Sequence, residues 1–227
     1  MTVNKEVELL ISSVHFPVTV LGYGRRIGIW FQGCSIGCKG CISKDTWGFD
    51  TSKSMSIGKL IKYLVGTCGT DFDGVTISGG EPFDQADGLA DFIHALRRWF
   101  CTLPSRGDKL GRDILCYSGH PLKKLQSEHA AILANLDVVI SDPYIASKPQ
   151  APMRGSDNQS LVALTNLGRT RYTDENCNLD LIKSLQLVVD SQNRLWAIGI
   201  PTSGDLQRMA SALRMNGIEL DDISWGA

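Results

Sequence analysis

The sequence has no excess of charge of either sign and no long apolar run. Its 227 residues carry 23 Lys and Arg against 24 Asp and Glu, a formal net charge of -1. This balance argues against a partner that is met through bulk electrostatics, such as duplex nucleic acid or an anionic membrane surface. Apolar stretches such as Ile27 to Phe31 are far shorter than the roughly 20 residues that span a bilayer. We therefore expect no nucleic-acid partner and no membrane partner.

The first residues also lack the pattern of a secretory signal. Lys5, Glu6, Glu8 and Pro17 stand where a long apolar core would be needed. The length is typical of one domain with an appendage, and 43% hydrophobic residues is ordinary for a protein with a buried core. We expect a globular, cytoplasmic protein.

Seven cysteines are an awkward number for a disulfide framework. In a reducing compartment, clustered cysteines are more often metal ligands or redox groups. The four histidines are not clustered, and none is assigned to chemistry. Four cysteines stand alone in the sequence, and we expect them to behave as small buried apolar residues; they are Cys68, Cys101, Cys116 and Cys177.

The other three cysteines lie within eight residues as a C-x3-C-x2-C run, at Cys34, Cys38 and Cys41. Glycines at 33, 37 and 40 permit the positive φ angles and the close backbone approach that a wrapped loop requires. Such a loop can point three sulfurs at one centre. Thiolates suit an iron-sulfur cluster or zinc, and structural zinc would need a fourth ligand from a remote Cys or His.

Apolar patterns alternate between strand and helix along the first two thirds of the chain. We predict a helix from Ile57 that ends at Gly66, a helix capped by Asp84, and helical structure between Leu122 and Leu133. This alternation predicts an α/β fold with a parallel sheet, whose ligands sit at the carboxyl ends of the strands. The predicted strands are Arg26 to Phe31, Asp73 to Ser78, Arg112 to Tyr117 and Asp137 to Ile140.

A second motif, Gly79-Gly80-Glu81-Pro82, directly follows the second predicted strand. Two glycines remove side chains, so that backbone groups can contact the ammonium and carboxylate groups of a ligand. A tight turn needs the same residues. The position of the motif after the cysteine loop is what makes it specific.

Together the two motifs resemble the radical S-adenosylmethionine superfamily. More narrowly, the chain resembles the activating proteins of anaerobic ribonucleotide reductase, which are activases of glycyl radical enzymes, in family order from about residue 15 to 165. A match of this breadth is more specific than one short motif. The matching segments are Trp30 to Cys41, Thr46-Trp47, Gly74 to Pro82, Tyr117-Ser118-Gly119, Leu136 to Ile140 and Arg154 to Gln159.

The resemblance implies a partial (β/α) barrel of the radical S-adenosylmethionine type and two cofactors. Cys34, Cys38 and Cys41 would hold a four-iron four-sulfur (4Fe-4S) cluster, and the methionyl end of S-adenosylmethionine would bind the fourth iron. No residue beyond the cluster site is implied to be catalytic. The implied contacts with S-adenosylmethionine are Gly79, Gly80 and the backbone at Glu81 for the methionyl end, Gly40 and Ile42 for the adenine, and Tyr117 and Ser118 for the ribose.

The resemblance also implies an oxidoreductase. Reductive cleavage of S-adenosylmethionine would give a 5'-deoxyadenosyl radical, which in the activating proteins abstracts hydrogen from a glycine of a partner glycyl radical enzyme. The cofactor carries the difficult chemistry, and its electron would come from a donor such as a flavodoxin or ferredoxin. One alternative is the same chemistry on a free peptide, nucleotide or other small molecule. Another is a non-catalytic metal-bearing module, such as a zinc scaffold or electron carrier.

The chain departs from the family pattern at three places. Ser43 stands where Asn is expected and Asp142 where Gly is expected, and about 60 residues follow Leu164. We place the core domain at 1–165 and a C-terminal extension, packed on the core, at 166–227. Apolar runs at 184–189 and 195–200 predict a hairpin, and Leu206 to Leu213 predicts a helix. Either the extension covers the sheet edge as a stabilising cap, or it has redirected the radical toward another substrate.

Overall fold

The computed structural model describes residues 7–105, 111–173, 185–190, 193–202 and 204–221. A seven-stranded sheet forms the centre, in the order β3-β1-β2-β4-β5-β6-β7, and β8 and β9 form a separate hairpin. The strands are β1 (Glu8–Val18), β2 (Arg26–Phe31), β3 (Ser54–Ser56), β4 (Gly74–Gly79), β5 (Asp113–Tyr117), β6 (Val138–Ser141), β7 (Ser160–Ala163), β8 (Leu185–Val189) and β9 (Leu195–Gly199). The helices are α1 (Ile57–Cys68), α2 (Ala86–Thr102), α3 (Leu122–Glu128), α4 (Ala130–Leu133), α5 (Asn166–Tyr172) and α6 (Asp205–Met215).

The middle of the sheet is parallel, as the alternation of strands and helices predicts. Strand β2 runs parallel to β4, β4 to β5, and β5 to β6, whereas β1 and β7 run antiparallel to their neighbours. The four parallel strands correspond to the four predicted ones to within one residue at each end. Their carboxyl ends therefore meet at one edge of the sheet, as the sequence predicts for the cysteine loop and the Gly79-Gly80 turn.

Helices α1 and α2 cover one face of this sheet and form the main core with it. Each helix packs a buried apolar stripe against Ile29 of β2 and neighbouring strand residues. The stripes include Leu60 and Leu64 of α1 and Phe92 and Leu96 of α2. A fully buried Leu or Phe contributes roughly 1.5–3 kcal/mol through the hydrophobic effect. The α1 and α2 stripes thus fix the sheet whose edge carries the candidate site.

Two predicted helix boundaries are wrong. Helix α1 continues through Gly66 to Cys68, and it is Gly69, with φ of 62°, that follows its last residue. Gly66 has open space where a Cβ would stand, so it is a solvent-side glycine inside the helix. Asp84 does not cap α2, which begins at Ala86 after a short 3-10 helix. Its carboxylate instead accepts from the amide and hydroxyl of Ser35, at 2.6 and 2.8 Å.

At the amino ends of the parallel strands, a buried ionic cluster fills the other face of the sheet. Asp113 of β5 accepts from Arg26 of β2 at 2.7 Å, from the phenol of Tyr172 at 3.0 Å, and from Arg171. Burial alone would raise the pKa of the Asp113 carboxyl, but Arg26 and Arg171 hold that pKa below its ordinary value. All four side chains are at most 2% exposed. Helix α5 is thus tied to the core by its own last residues.

The hairpin lies against the same face of the sheet. Ile198 of β9 is buried with Val18, Val20 and Leu21, and this cluster also contacts Trp30 and Tyr117. The side chain of Gln186 in β8 donates to the carbonyl of Pro17 at 2.8 Å and accepts from the amide of Thr19 at 2.9 Å. The hairpin therefore contacts the segment from Pro17 to Leu21 through both apolar and polar groups.

The isolated cysteines do not all behave as expected. Cys68 and Cys116 are buried, but Cys101 is exposed near the end of α2, and Cys177 lies outside the described residues. No helix among the described residues has the length and apolarity that a membrane crossing requires.

Candidate cofactor site

A cavity of about 140 Å³ opens at the carboxyl ends of the parallel strands. Its lining includes eight of the residues that the resemblance implies, namely Cys34, Cys38, Cys41, Gly79, Gly80, Glu81, Tyr117 and Ser118. Six further residues complete it among those described, namely Ile36, Trp47, Ser78, Gly119, Tyr144 and Gln159. The structure thus brings the two sequence motifs, about 40 residues apart, to one concave site of the kind that binds ligands.

The backbone of the cysteine loop is held at both ends. The amide of Gly33 donates to the carbonyl of Thr46 at 2.7 Å, and the amide of Cys34 donates to that of Trp47 at 3.0 Å. Between the second and third cysteines, the amide of Cys41 donates to the carbonyl of Cys38 at 3.1 Å, closing a turn. Gly33 has φ of 103°, a region that side chains rarely adopt. The loop therefore presents its three sulfurs from a fixed backbone.

The three thiols suit an iron-sulfur cluster. Each is partly buried and lines the same cavity, and the amide of Ser43 donates to the sulfur of Cys41 at 3.4 Å, a contact that favours a thiolate. Burial raises the pKa of the Cys38 thiol, while the backbone amide of Tyr144 opposes that shift. Among the described residues, no three His, Cys, Asp or Glu side chains converge enough to hold one metal ion. A cluster does not require such convergence, because each thiolate binds a different iron.

The Gly79-Gly80 turn approaches the cysteine loop so closely that side chains would not fit. A Cβ on Gly80 would lie 2.1 Å from the carbonyl oxygen of Gly33, and one on Gly79 would lie 2.5 Å from the backbone of Phe31. The amide of Gly80 donates to the carbonyl of Phe31, and that of Glu81 to the carbonyl of Gly33, both at 2.8 Å. Since these amides are used inside the protein, the carbonyl oxygens of the turn are the groups that suit a ligand's ammonium.

The remaining walls come from the end of β5 and from the segment between β6 and β7. Tyr117 donates through its hydroxyl to the carbonyl of Met153 at 3.0 Å, and burial raises the pKa of its phenol. Gln159 is fixed by three contacts, since its carbonyl accepts from the amides of Gly155 and Ser156 and its amide donates to the carbonyl of Asp142 at 3.1 Å. Gln159 closes the Arg154 to Gln159 segment of the sequence, and tertiary folding brings it to the cavity.

Two of the implied contacts, Gly40 and Ile42, are not among the lining residues of this cavity. Gly40 has φ of 80°, and a Cβ there would lie 3.1 Å from the Cβ of Ala146 and 3.7 Å from the ring of Tyr144, which does line the cavity. Ile42 is 39% exposed. It lines a second, larger cavity of about 780 Å³ that is bounded by the core on one side and by β8, β9 and α6 on the other. Trp30 also lines this larger cavity, and its register partner Ser78 lines the smaller one.

Residues 20–162 match the family described as "4Fe-4S single cluster domain". The chain is 28% identical over 153 residues to the anaerobic ribonucleoside-triphosphate reductase-activating protein of Haemophilus influenzae, an alignment that covers 64% of this chain and 92% of that protein. Identity is 25% over 158 residues to the protein of the same name from Pasteurella multocida, covering 66% of this chain and 96% of the relative.

Pyruvate formate-lyase-activating enzyme of Listeria monocytogenes is 37% identical over 87 residues, which is 37% of this chain and 35% of that enzyme. Among solved structures, QueE from Escherichia coli is similar with a TM-score of 0.39 and 20% identity, covering 49% of this chain and 53% of that one. This structural similarity is too weak to carry an argument.

A sheet edge that gathers three thiols and a glycine turn around one cavity is typical of an iron-sulfur enzyme that binds a small cofactor. The chain belongs to the 4Fe-4S single cluster domain family, within the radical S-adenosylmethionine superfamily. It is an oxidoreductase, and its cofactors are a 4Fe-4S cluster and S-adenosylmethionine.

Proposed function

We propose that this chain is an activase that abstracts hydrogen from a glycine of a partner glycyl radical enzyme. The observation that carries the proposal is the single cavity shared by Cys34, Cys38, Cys41 and the Gly79-Gly80 turn. The relatives whose printed names describe reductase activation align over nearly their whole length, which supports a protein as the partner. The parallel sheet would be the partial barrel of this enzyme class, with the hairpin and α6 as its extension.

Within this proposal the three cysteines hold the cluster and leave one iron without a protein thiolate. When bound and reduced by an external donor, the cluster would supply one electron for the cleavage of S-adenosylmethionine into methionine and a 5'-deoxyadenosyl radical. The turn at Gly79, Gly80 and Glu81 binds the methionyl ammonium through carbonyl oxygens. Tyr117 and Ser118, which line the same cavity, orient the ribose, Ser118 through its backbone because its hydroxyl already donates to Glu81.

Gly40 and Ile42 flank the third cysteine and are not among the lining residues of the smaller cavity. We propose that they contact the adenine, which would extend past Cys41. The electron would come from a flavodoxin or ferredoxin that reaches the exposed turns of the cysteine loop, where Ser35, Gly37 and Lys39 are exposed. The cytoplasm is the compartment that suits free thiols and these donors.

Deuterium transfer tests the hydrogen donor directly. We expect that the anaerobically reconstituted protein, reduced in the presence of an anaerobic ribonucleotide reductase labelled with α-deuterated glycine, gives 5'-deoxyadenosine that carries deuterium and a glycyl radical signal in electron paramagnetic resonance. A reductase whose radical-bearing glycine is replaced by alanine is the control. Unlabelled 5'-deoxyadenosine and no radical signal would exclude this partner.

The larger cavity favours a second candidate, in which the radical acts on a free peptide, nucleotide or small molecule. Its volume of about 780 Å³ lies within the range of ligand pockets, and Ile42 places it beside the third cysteine. An Ala197→Trp change in β9 would narrow it, whereas Ala131→Trp adds the same bulk on the exposed side of α4. If only Ala197→Trp loses product while both variants still cleave S-adenosylmethionine, the substrate lies in this cavity. Equal products from both would exclude it.

A further inference from the structure

Glu81 follows the glycine turn, and its side chain points into the protein. The residue is 1% exposed. One carboxylate oxygen accepts from the amide of Phe83 at 3.0 Å and from the hydroxyl of Ser118 at 2.9 Å, and the other accepts from the amide of Gly119 at 2.7 Å. Three donors therefore satisfy a carboxylate that has almost no contact with solvent.

The carboxylate joins two strands beyond the point where their ladder stops. The last register pair between β4 and β5 is Ile77 with Cys116. Past that pair, β4 turns toward the cysteine loop, where the amide of Glu81 binds the carbonyl of Gly33 at 2.8 Å. The contacts of the Glu81 side chain with Ser118 and Gly119 then connect the turn to the end of β5. One residue thus ties the turn to the start of the cysteine loop through its backbone and to the segment directly after β5 through its side chain.

We propose that Glu81 is a positioning residue that sets the spacing between the Gly79–Glu81 turn and the Ser118-Gly119 end of β5, the two walls that hold S-adenosylmethionine. This inference rests on the proposed cofactor site and assigns no contact between the Glu81 carboxylate and the cofactor. Both walls line the same cavity, so a change in their spacing changes the shape that the cofactor must fit.

Burying a carboxylate is costly unless it is fully hydrogen-bonded. Burial raises the pKa of Glu81 to about 7, although its three hydrogen bonds oppose that shift. A residue needed only to fill space would be better replaced by an apolar side chain. The cost is explained if the position requires an acceptor that reaches three donors on two chain segments.

Replacing Glu81 with glutamine tests its hydrogen bonds without changing the volume of its side chain. Glu81→Gln keeps the shape of the side chain, and its oxygen can still accept from Phe83 and Ser118. Its NH2 group would then face the amide of Gly119, where two donors meet and no hydrogen bond forms. Ser118→Ala removes one donor and leaves the contact with Gly119. The matched control is Glu128→Gln, the same chemical change on the exposed side of α3.

Binding of S-adenosylmethionine to the reconstituted protein, measured calorimetrically without reductant, tests the inference. For Glu81→Gln we expect a Kd weaker by roughly tenfold, because loss of the brace lowers the fraction of protein with the binding-competent spacing. The cluster absorbance should match that of the wild type. At saturating S-adenosylmethionine the cleavage rate should fall less than the affinity. Ser118→Ala should weaken Kd by a smaller factor, and Glu128→Gln should leave it unchanged.

A merely structural role would lower the melting temperature of Glu81→Gln and leave its Kd at the wild-type value, and that result would overturn the inference. If Glu81→Gln does not take up the cluster, Ser118→Ala decides, and an unchanged Kd in that variant contradicts the bracing role. If the wild-type protein itself does not bind S-adenosylmethionine, the cofactor site is wrong and the inference fails with it. Failure of the inference alone requires a wild type that binds and variants that bind equally well.

Discussion

The two ends of the parallel strands are stabilised in different ways. At the amino ends, charged side chains form buried ion pairs. At the carboxyl ends, backbone hydrogen bonds hold the loops together, and three thiols line a cavity. Arg26, Asp113, Arg171 and Tyr172 satisfy one another at the first end and are almost fully buried. At the second end the glycine turn binds neighbouring carbonyls through its amides. Groups that are paired internally stabilise a fold, and groups left facing a cavity can bind a ligand.

This difference predicts that substitutions at the two ends separate cofactor loading from stability. Cys38→Ala should produce the largest effect on loading. Because three cysteines are the proposed ligands, losing one should abolish incorporation of an intact cluster while the fold remains, since Cys38 is only partly buried. Iron and sulfide content after anaerobic reconstitution, together with circular dichroism, measures both. Cys101→Ala, at an exposed cysteine outside the site, is the control and should load normally.

At the amino ends, Asp113→Asn should cost stability instead. Removing one partner of a buried ion pair costs about 3–5 kcal/mol, and two guanidinium groups lose a partner here. Asp71→Asn makes the same change in the exposed pair with Arg25 and should cost at most about 1 kcal/mol. Denaturant unfolding of the cluster-free proteins measures the difference. Equal losses in the two variants would show that the buried cluster is not what holds this end together.

A methyl group on the glycine turn should have an intermediate effect. Gly80→Ala places its Cβ 2.1 Å from the Gly33 carbonyl oxygen, and crowding of a packed site costs about 1–3 kcal/mol. Because Gly33 precedes the first cysteine, we expect weaker cluster retention as well as weaker binding of S-adenosylmethionine. Gly66→Ala, in a helix with open space around it, should instead stabilise by up to about 1 kcal/mol. Wild-type cluster retention in Gly80→Ala would contradict the close approach.

The smallest effect concerns the departure from the family pattern at Asp142. This residue has φ of 80°, a conformation that favours glycine, which is the residue that the resemblance implies at this position. Asp142→Gly should leave the free energy of unfolding within about 1 kcal/mol of the wild type, and Asp142→Ala should lower it by about 1–2 kcal/mol. Parallel thermal unfolding of both variants measures this. If Asp142→Gly and Asp142→Ala have the same melting temperature, the positive φ angle does not determine which residue is favoured at position 142.

The sequence predicts the centre of the sheet well and its margins poorly. Strands β2, β4, β5 and β6 are short apolar runs that read clearly because they are buried on both faces. Strand β1 begins with Glu8 and contains Ser12, Ser13 and His15, so no alternation marks it. Strands β3 and β7 are three and four residues long, and pairing with a neighbour determines such strands more than their own sequence does.

The site divides in the same way. Local spacing identifies the three cysteines and the glycine turn, because each motif is contiguous in the chain. Tyr144 and Gln159 reach the cavity only through folding of the segment after β6, and no local pattern marks Tyr144. The misplaced helix end at Gly66 has a related cause, since a glycine on the solvent side of a helix looks in sequence like a helix stop.

Anaerobic reconstitution followed by reduction in the presence of S-adenosylmethionine tests the central assignment most directly. The account predicts a brown protein with about four irons and four sulfides per chain that forms 5'-deoxyadenosine and methionine. A colourless protein that holds zinc at the three cysteines and forms no 5'-deoxyadenosine would contradict it.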